Sequence, residues 1–556
     1  MNLNPIARCI VLPAILSLSL GSHPASAQTS SGTRVISGVV ISSASGQPLE
    51  GADVTLNDAK SGALFAEAAT DSEGRFAFQH LSDGRFSLRA AHRGYIASAF
   101  QEHQGFSTAI ITGEGLVSTD LKFPLAPQAV LYGTVADDSG DPVSQARVAL
   151  YRQNEANGTG NIVRASTVVT DDLGNYEFPR IQPGNYYLAV TGNPWYATHP
   201  QPRQNPDGSA PQASQRSPLD VAYATTFYAD VTDADSATPI PVKAGDRIPV
   251  NFTMHPVPAV HLTLQIPGDG RNPYQNVPQL RQEIFGTTDF VQQSMSFSSH
   301  NNGRGDGGMT TVEFGGVPPG HYEVEFHNPR GESNSMSTVD LSSDHQVIDP
   351  SAAESLAAVT GKVAMVGGEK LPPGLSISLT STSGGESHQD HVSMDGSFHI
   401  DGLRPGTYEV LARANEAAVA PAQMTASGAT ADGHLLKVGT APVTMAATLV
   451  ESSGSVNGFA KSDGKPAPGV MILLVPSNPG ANREMFRRDQ SDSDGSFILK
   501  RVIPGEYTLV AIEDGWTLDW AHPEVIGHYL AKGQKVTVPR HGRDLDIKEP
   551  VEVQPK

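Results

Sequence analysis

The sequence predicts an all-β chain folded as a tandem array of about five β-sandwich domains. Three observations lead there. A skeleton seen from Asp71 to Leu88, DSEGRFAFQHLSDGRFSL, returns as DDLGNYEFPRIQPGNYYL from Asp171, SMDGSFHIDGLRPGTYEV from Ser393 and DSDGSFILKRVIPGEYTL from Asp492, with a degraded copy over Gly307 to Val324. Within each copy the apolar residues are spaced by two, the period of a strand with one buried face. The composition, 55 Gly and 41 Pro with 17% charged residues, suits a turn-rich β chain better than a helical one.

Each copy reads as strand, turn, strand. Phe76 and Phe78, then Phe86 and Leu88, are expected to point inward, leaving Arg75, Ala77, Arg85 and Ser87 in solvent. Gly74 supplies a positive φ in the turn and Asp71 accepts hydrogen bonds from its amides. In the second turn Pro183, Pro319, Pro405 and Pro504 each precede a glycine, a fixed φ followed by a permissive one.

Before the first copy, Arg8 precedes an apolar run from Cys9 to Leu20, and Ala25, Ser26 and Ala27 form a small-x-small site ahead of Gln28. Residues 1–27 therefore read as a secretory signal peptide, too short to span a membrane. Cleavage removes Cys9, the single cysteine. The exported chain then has no disulfide, and each domain must be held by its own apolar core.

The first domain is expected over 34–127. It opens on the alternation Val35, Ser37, Val39, Ile41, then a turn at Gly46 and Pro48, then an inward face of Ala52, Val54 and Leu56. The second, over 128–257, repeats that opening at Gly140, Pro142, Ala146, Val148 and Leu150. It carries the longest irregular insertion, Gly192 to Pro218, read as an exposed loop that starts with Trp195 and Tyr196. The third, over 258–351, keeps Val312, Phe314, Tyr322 and Val324 but loses the clean first turn. The fourth spans 356–447 and the fifth 450–556. In the fifth, Gly515 to Leu530, with Trp516, Trp520 and Tyr529, breaks the β pattern and reads as a short helical crossover.

The net charge of −20, with no basic stripe, argues against nucleic acid as a partner. No stretch after the signal peptide is long and apolar enough for a transmembrane helix. No GxSxG elbow occurs, and none of the 18 histidines stands in HExxH or HxxE. His321, Glu323, Glu325 and His327 share one face of a strand and would be ligands for a hydrolytic metal, but that face is the outer one, where solvated side chains belong. His388, Asp390 and His391 lie before a hairpin and are read in the same way. Asp489 to Gly495, DQSDSDG, resembles the start of a calcium loop, yet Gln490 and Arg501 stand where two ligands are needed, and a turn capped by Asp492 accounts for it. Arg304, Gly305 and Asp306 fall in a glycine-rich loop, and Lys362 alone does not make an isopeptide crosslink. No metal or other cofactor is expected.

The residues Gly46, Pro48, Ala52, Val54, Leu56, Asp71, Gly74, Phe76, Phe78, Leu81, Gly84, Phe86 and Leu88, with their copies, resemble the carboxypeptidase regulatory-like domain. That resemblance implies an Ig-like or prealbumin-like β-sandwich related to carbohydrate-binding folds. It implies no peptidase activity, because the catalytic domain and its HxxE pair are missing. The expectation is an exported, non-enzymatic binding or spacer protein of the periplasm, cell surface or exterior, with an envelope protein or polysaccharide as partner. Trp195, Tyr196, Trp516 and Trp520 are the candidates for stacking on sugar rings.

Overall fold

The computed structural model describes residues 32–199, 217–267, 278–291, 294–299, 309–326, 334–343, 346–383, 386–415, 418–452, 454–540 and 544–556. The signal peptide expected at 1–27, the Arg304–Gly305–Asp306 tripeptide, His327 and most of the 192–218 insertion lie outside them.

Five sandwiches follow one another, each with its own core. The leading strands are Arg34–Ser42, Ala129–Asp137, Val260–Pro267, Ala357–Met365 and Gly454–Ser462. Each pairs antiparallel with the strand after the first turn of the skeleton and parallel with a closing strand. A parallel partner needs a crossover, and the intervening chain supplies it by building the second sheet. There the second strand lies between the third and the fifth, as Asp53–Asp58 does between Leu64–Ala69 and Gly84–Ala91. The degraded third copy forms both sheets as well.

Phe76, Phe78, Phe86 and Leu88 are buried in the first core, where the period of two places them. The opening alternation is reversed, however. Ile36 and Val40 are buried, whereas Val35, Val39 and Ile41 lie on the half-buried outer face. The inward face also holds Gly38, where a Cβ would stand 2.3 Å from the Leu121 carbonyl oxygen. A glycine at that close approach breaks the apolar alternation on the inner side and leaves the outer side looking more regular.

The first turn is built alike in four domains. Gly74, Gly174, Gly396 and Gly495 have φ of 71°, 74°, 86° and 82°. Each carbonyl accepts the amide of the leading strand, from Val40, Val135, Val363 and Ala460 at 2.8–2.9 Å. Asp71 accepts the amides of Glu73 and Arg75 at 3.0 and 2.7 Å, and Asp171 those of Leu173 and Asn175 at 2.9 and 2.8 Å.

The second turn differs from expectation. In the third, fourth and fifth domains the glycine after proline is not left-handed; in all five domains a left-handed residue, His80, Arg180, Gly316, Gly402 or Arg501, stands one place before Leu81, Ile181, Val317, Leu403 or Val502. All five sit at a bulge against the leading strand. The glycine's role is to leave room: a Cβ at Gly84 or Gly320 would lie 3.3 Å from the ring of Phe86 or Tyr322. Where that aromatic is tyrosine, its hydroxyl donates to the carbonyl four residues back, to Gln182, Pro318, Arg404 and Ile503 at 2.9, 2.8, 3.0 and 2.6 Å. The ring thus fills the core and its hydroxyl clasps the turn.

The fifth domain departs from the others. Its strand Met471–Pro476 is buried along its whole length, because both faces of the sheet are covered. Ile472 and Leu474 enter the sandwich core, while Met471, Leu473 and Val475 pack under Trp516, Trp520 and Ile526 of the crossover. That crossover holds a 3-10 turn, Gly515–Thr517, and the α-helix Pro523–Leu530. The last strand, Val551–Gln554, pairs with both sheets and joins them along one edge.

Candidate interaction surfaces

Neighbouring domains cover part of the outer sheet faces. On the second domain, Tyr151, Tyr187 and Phe227 receive Phe285, the hairpin tip of the third, with ring centroids 5.1–5.4 Å apart. Arg164 pairs with Asp289 across the same joint at 2.6 Å. His199, at the start of the insertion, bonds Asp220 at 2.9 Å and lies against Gly316 of the third domain. Between the third and fourth domains Arg404 reaches Glu323 at 2.8 Å and Glu386 at 3.0 Å. Between the fourth and fifth, Ala420 and Val450 pack on Ile503.

The fifth domain also returns to the first and second. Trp516 stacks on His103, at 5.2 Å and 5° between planes, and lies 5.8 Å from Phe106. The Arg488 guanidinium sits 5.0 Å over Phe106 and 4.6 Å over Trp520. Gln490 donates to the Gln101 carbonyl and to Thr108 Oγ1 at 2.6 and 2.8 Å. Arg488 also donates to the Ala156 carbonyl at 2.6 Å, and the Ala521 amide to that of Gly158 at 3.0 Å. Beside this junction a cleft of about 530 Å³ runs between the first two domains, with Glu102, Gln104, Arg152, Asn154 and Asn185 in its walls.

These contacts redistribute the residues singled out from sequence. Trp516 and Trp520 are only 4% and 7% exposed, so their faces are not open to a sugar ring; the docked first and second domains take that place. Trp195 is 80% exposed and meets the half-buried Tyr196 edge-on at 5.8 Å. His321 is exposed and bonds Asp340 at 2.6 Å. Glu323 and Glu325 are not solvated as expected but hold Arg404 and Arg281 at 2.8 and 2.9 Å, which spends the carboxylates a metal would need. The DQSDSDG segment does form the hairpin turn, and Asp492 holds it in part, accepting the Ser496 hydroxyl at 3.3 Å. Asp494 takes the Ser496 amide at 2.9 Å, and the Asp492 carboxylate also reaches Arg85 of the first domain. Among the described residues no helix is long and apolar enough to cross a membrane.

Nothing in the sequence signals that Gln490, Ser491 and Asp492, polar residues of a turn, are wholly buried. Burial pushes the neighbouring Asp489 carboxyl up to about 6. A carboxyl raised in the folded state favours the protonated form, so its contribution is greatest below the unfolded value and is lost as pH rises through about 6. Thermal melting of the fifth domain is expected to lose about 1–3 kcal/mol from this group between pH 4 and 7. Asp489→Asn should flatten that slope, and an unchanged slope would contradict the assignment.

Residues 35–107 and 130–212 match the carboxypeptidase regulatory-like domain. Residues 357–435 and 452–530 match the second β-sandwich domain of NOMO1-like BOS complex subunits. The BOS complex subunit NOMO1 of Mus musculus is 31% identical over 178 residues, covering 28% of this chain and 14% of the relative. The serine-aspartate repeat-containing protein F of Staphylococcus epidermidis is 27% identical over 158 residues, 25% of this chain and 9% of the relative. The chain thus spans only a small part of either relative. Among solved structures, a shaft pilin of Lactobacillus rhamnosus aligns at 9% identity and a TM-score of 0.18, covering 41% of this chain and 98% of the pilin. A minor pilin of Streptococcus agalactiae aligns at 16% and 0.20, covering 41% and 97%.

Proposed function

Taking the chain as a repeat β-sandwich protein built from carboxypeptidase regulatory-like and NOMO1-like domains, we propose that it is an exported, non-catalytic scaffold that binds a protein partner at the cell envelope. The observation that carries this reading is the use made of the repeat's residues. Turn glycines, turn aspartates, inward rings and the Arg404–Glu323 pair all serve turns, cores or joints between domains. The matched relatives point the same way, since the mouse protein is named as a subunit of a complex. The spacer reading is the weaker half, because the fifth domain sits on the first instead of standing away from it.

Expression of the whole chain with a C-terminal tag in its own host, crosslinked before fractionation, tests the proposal. The expected product starts at Gln28, lies outside the cytoplasm and carries a crosslinked envelope protein. A cytoplasmic product that keeps residues 1–27 would contradict export, and recovery of the uncrosslinked chain alone would contradict binding.

A second reading, polysaccharide binding, is favoured by the exposure of Trp195 beside Tyr196. An exposed ring next to a polar handle offers a stacking face worth about 1 kcal/mol. Retention on insoluble polysaccharide should then fall severalfold in Trp195→Ala, and unchanged retention would remove this reading.

A further inference from the structure

Asp492 is the fifth domain's copy of the turn aspartate, and its side chain is fully buried. Asp71 and Asp171 spend their carboxylates on their own turns. Asp492 accepts the Ser496 hydroxyl of its own turn at 3.3 Å but also accepts from Arg85 Nε at 2.5 Å and its terminal nitrogen at 3.1 Å, and from the Ala109 amide at 3.0 Å. Ser493 completes a two-way exchange with the same segment: its amide donates to the Ala109 carbonyl at 2.9 Å, and its Oγ accepts the Ile111 amide at 2.8 Å. Two successive turn residues, with Gln490 before them, thus read the backbone of residues 101–111.

The contact is separate from the two sandwich cores, although Phe106 of the first domain packs on the apolar cluster that holds Trp516 and Trp520 on the outer face of the fifth. The first core and the fifth core share no residue. Among the described residues, what joins them is directional hydrogen bonding, the Arg85–Asp492 ion pair and the stacked layer of His103, Phe106, Arg488, Trp516 and Trp520. Such a layer can part without opening a sandwich, whereas an interdigitated core cannot.

We propose that the fifth domain is a latch, docked on the first and second through Asp492 and Arg85, which releases as a unit while all five sandwiches stay folded. Release uncovers the Trp516 and Trp520 face together with the edge strand Arg487–Gln490, the kind of surface that the closed chain keeps out of reach of partner strands. The ion pair is the natural release point. Removing Arg85 leaves a carboxylate buried without its cation, which is more costly than leaving both groups in water.

The test uses the tryptophans already at the contact. In a Trp195→Phe background, emission comes from Trp516 and Trp520 alone. Arg85→Ala is expected to shift that emission to the red, raise acrylamide quenching severalfold and increase the radius of gyration, with the far-ultraviolet dichroism unchanged. A second variant carries Ala109→Cys and Ser493→Cys with Cys9→Ser, so that one disulfide spans the contact. Combined with Arg85→Ala, oxidation should restore the blue emission and the small radius, and reduction should reverse both. Loss of β dichroism together with the red shift would overturn the proposal. So would tryptophans as protected, and a radius as small, in reduced Arg85→Ala as in the unaltered chain.

Discussion

Replacing Gly396 with alanine will melt the fourth domain far below the rest of the chain. Gly396 has φ of 86°, a conformation that costs an L side chain about 1–2 kcal/mol. Its added Cβ would also stand 2.2 Å from the Val363 carbonyl oxygen, a backbone atom of the leading strand that cannot swing aside. Relief requires the turn to move away, which breaks the bond from the Val363 amide to the Gly396 carbonyl and loosens the neighbouring pair Lys362 and Ser397. Together these effects amount to about 3 kcal/mol or more. For a domain of this size that lowers the midpoint by roughly 10–20 °C. Calorimetry should show one transition moving down and the others staying. A uniform shift of every transition would mean that the domains melt as one body.

Phe285→Ala is the second large effect, and it strikes a joint instead of a core. Phe285 is the tip of a hairpin in the third domain, and its ring meets three aromatic rings of the second. Truncation removes that apolar contact and the edge-to-face interactions, leaving Tyr151, Tyr187 and Phe227 facing water or a void. For a half-buried phenylalanine the loss is about 2–3 kcal/mol. The second core and the third core contain neither Phe285 nor its ring partners. The expected result is therefore loss of coupling, with the melting of the two domains separating while each remains cooperative. Unfolding of the third domain outright would show that the hairpin tip belongs to its core.

How much was legible follows from the range of the interaction concerned. The inward rings Phe76, Phe78, Tyr408 and Tyr507 were readable because burial on a strand follows a period of two, a purely local rule. The bulge before Leu81 was also local. Its signal was the step of three from Phe78 to Leu81, which two-residue alternation cannot make on one face without an extra residue. The leading strand was read on the wrong face because Gly38 contributes no side chain to the pattern, although the approach of Leu121 demands it.

The candidate surfaces were least legible. Trp516 and Asp492 look like an exposed ring and an ordinary turn cap until residues more than four hundred positions away are brought against them. The run Met471 to Val475 was the available hint, since a strand apolar on both faces must be covered twice. Trp195 stays exposed, with Tyr196 of its own insertion as the ring it meets among the described residues.

Peptide-resolved hydrogen exchange on the Gly396→Ala chain tests most directly whether five sandwiches hold themselves up separately. Protection should fall in residues 357–451 and persist in the strands of the first, second and third cores. Equal loss of protection across all five would contradict it.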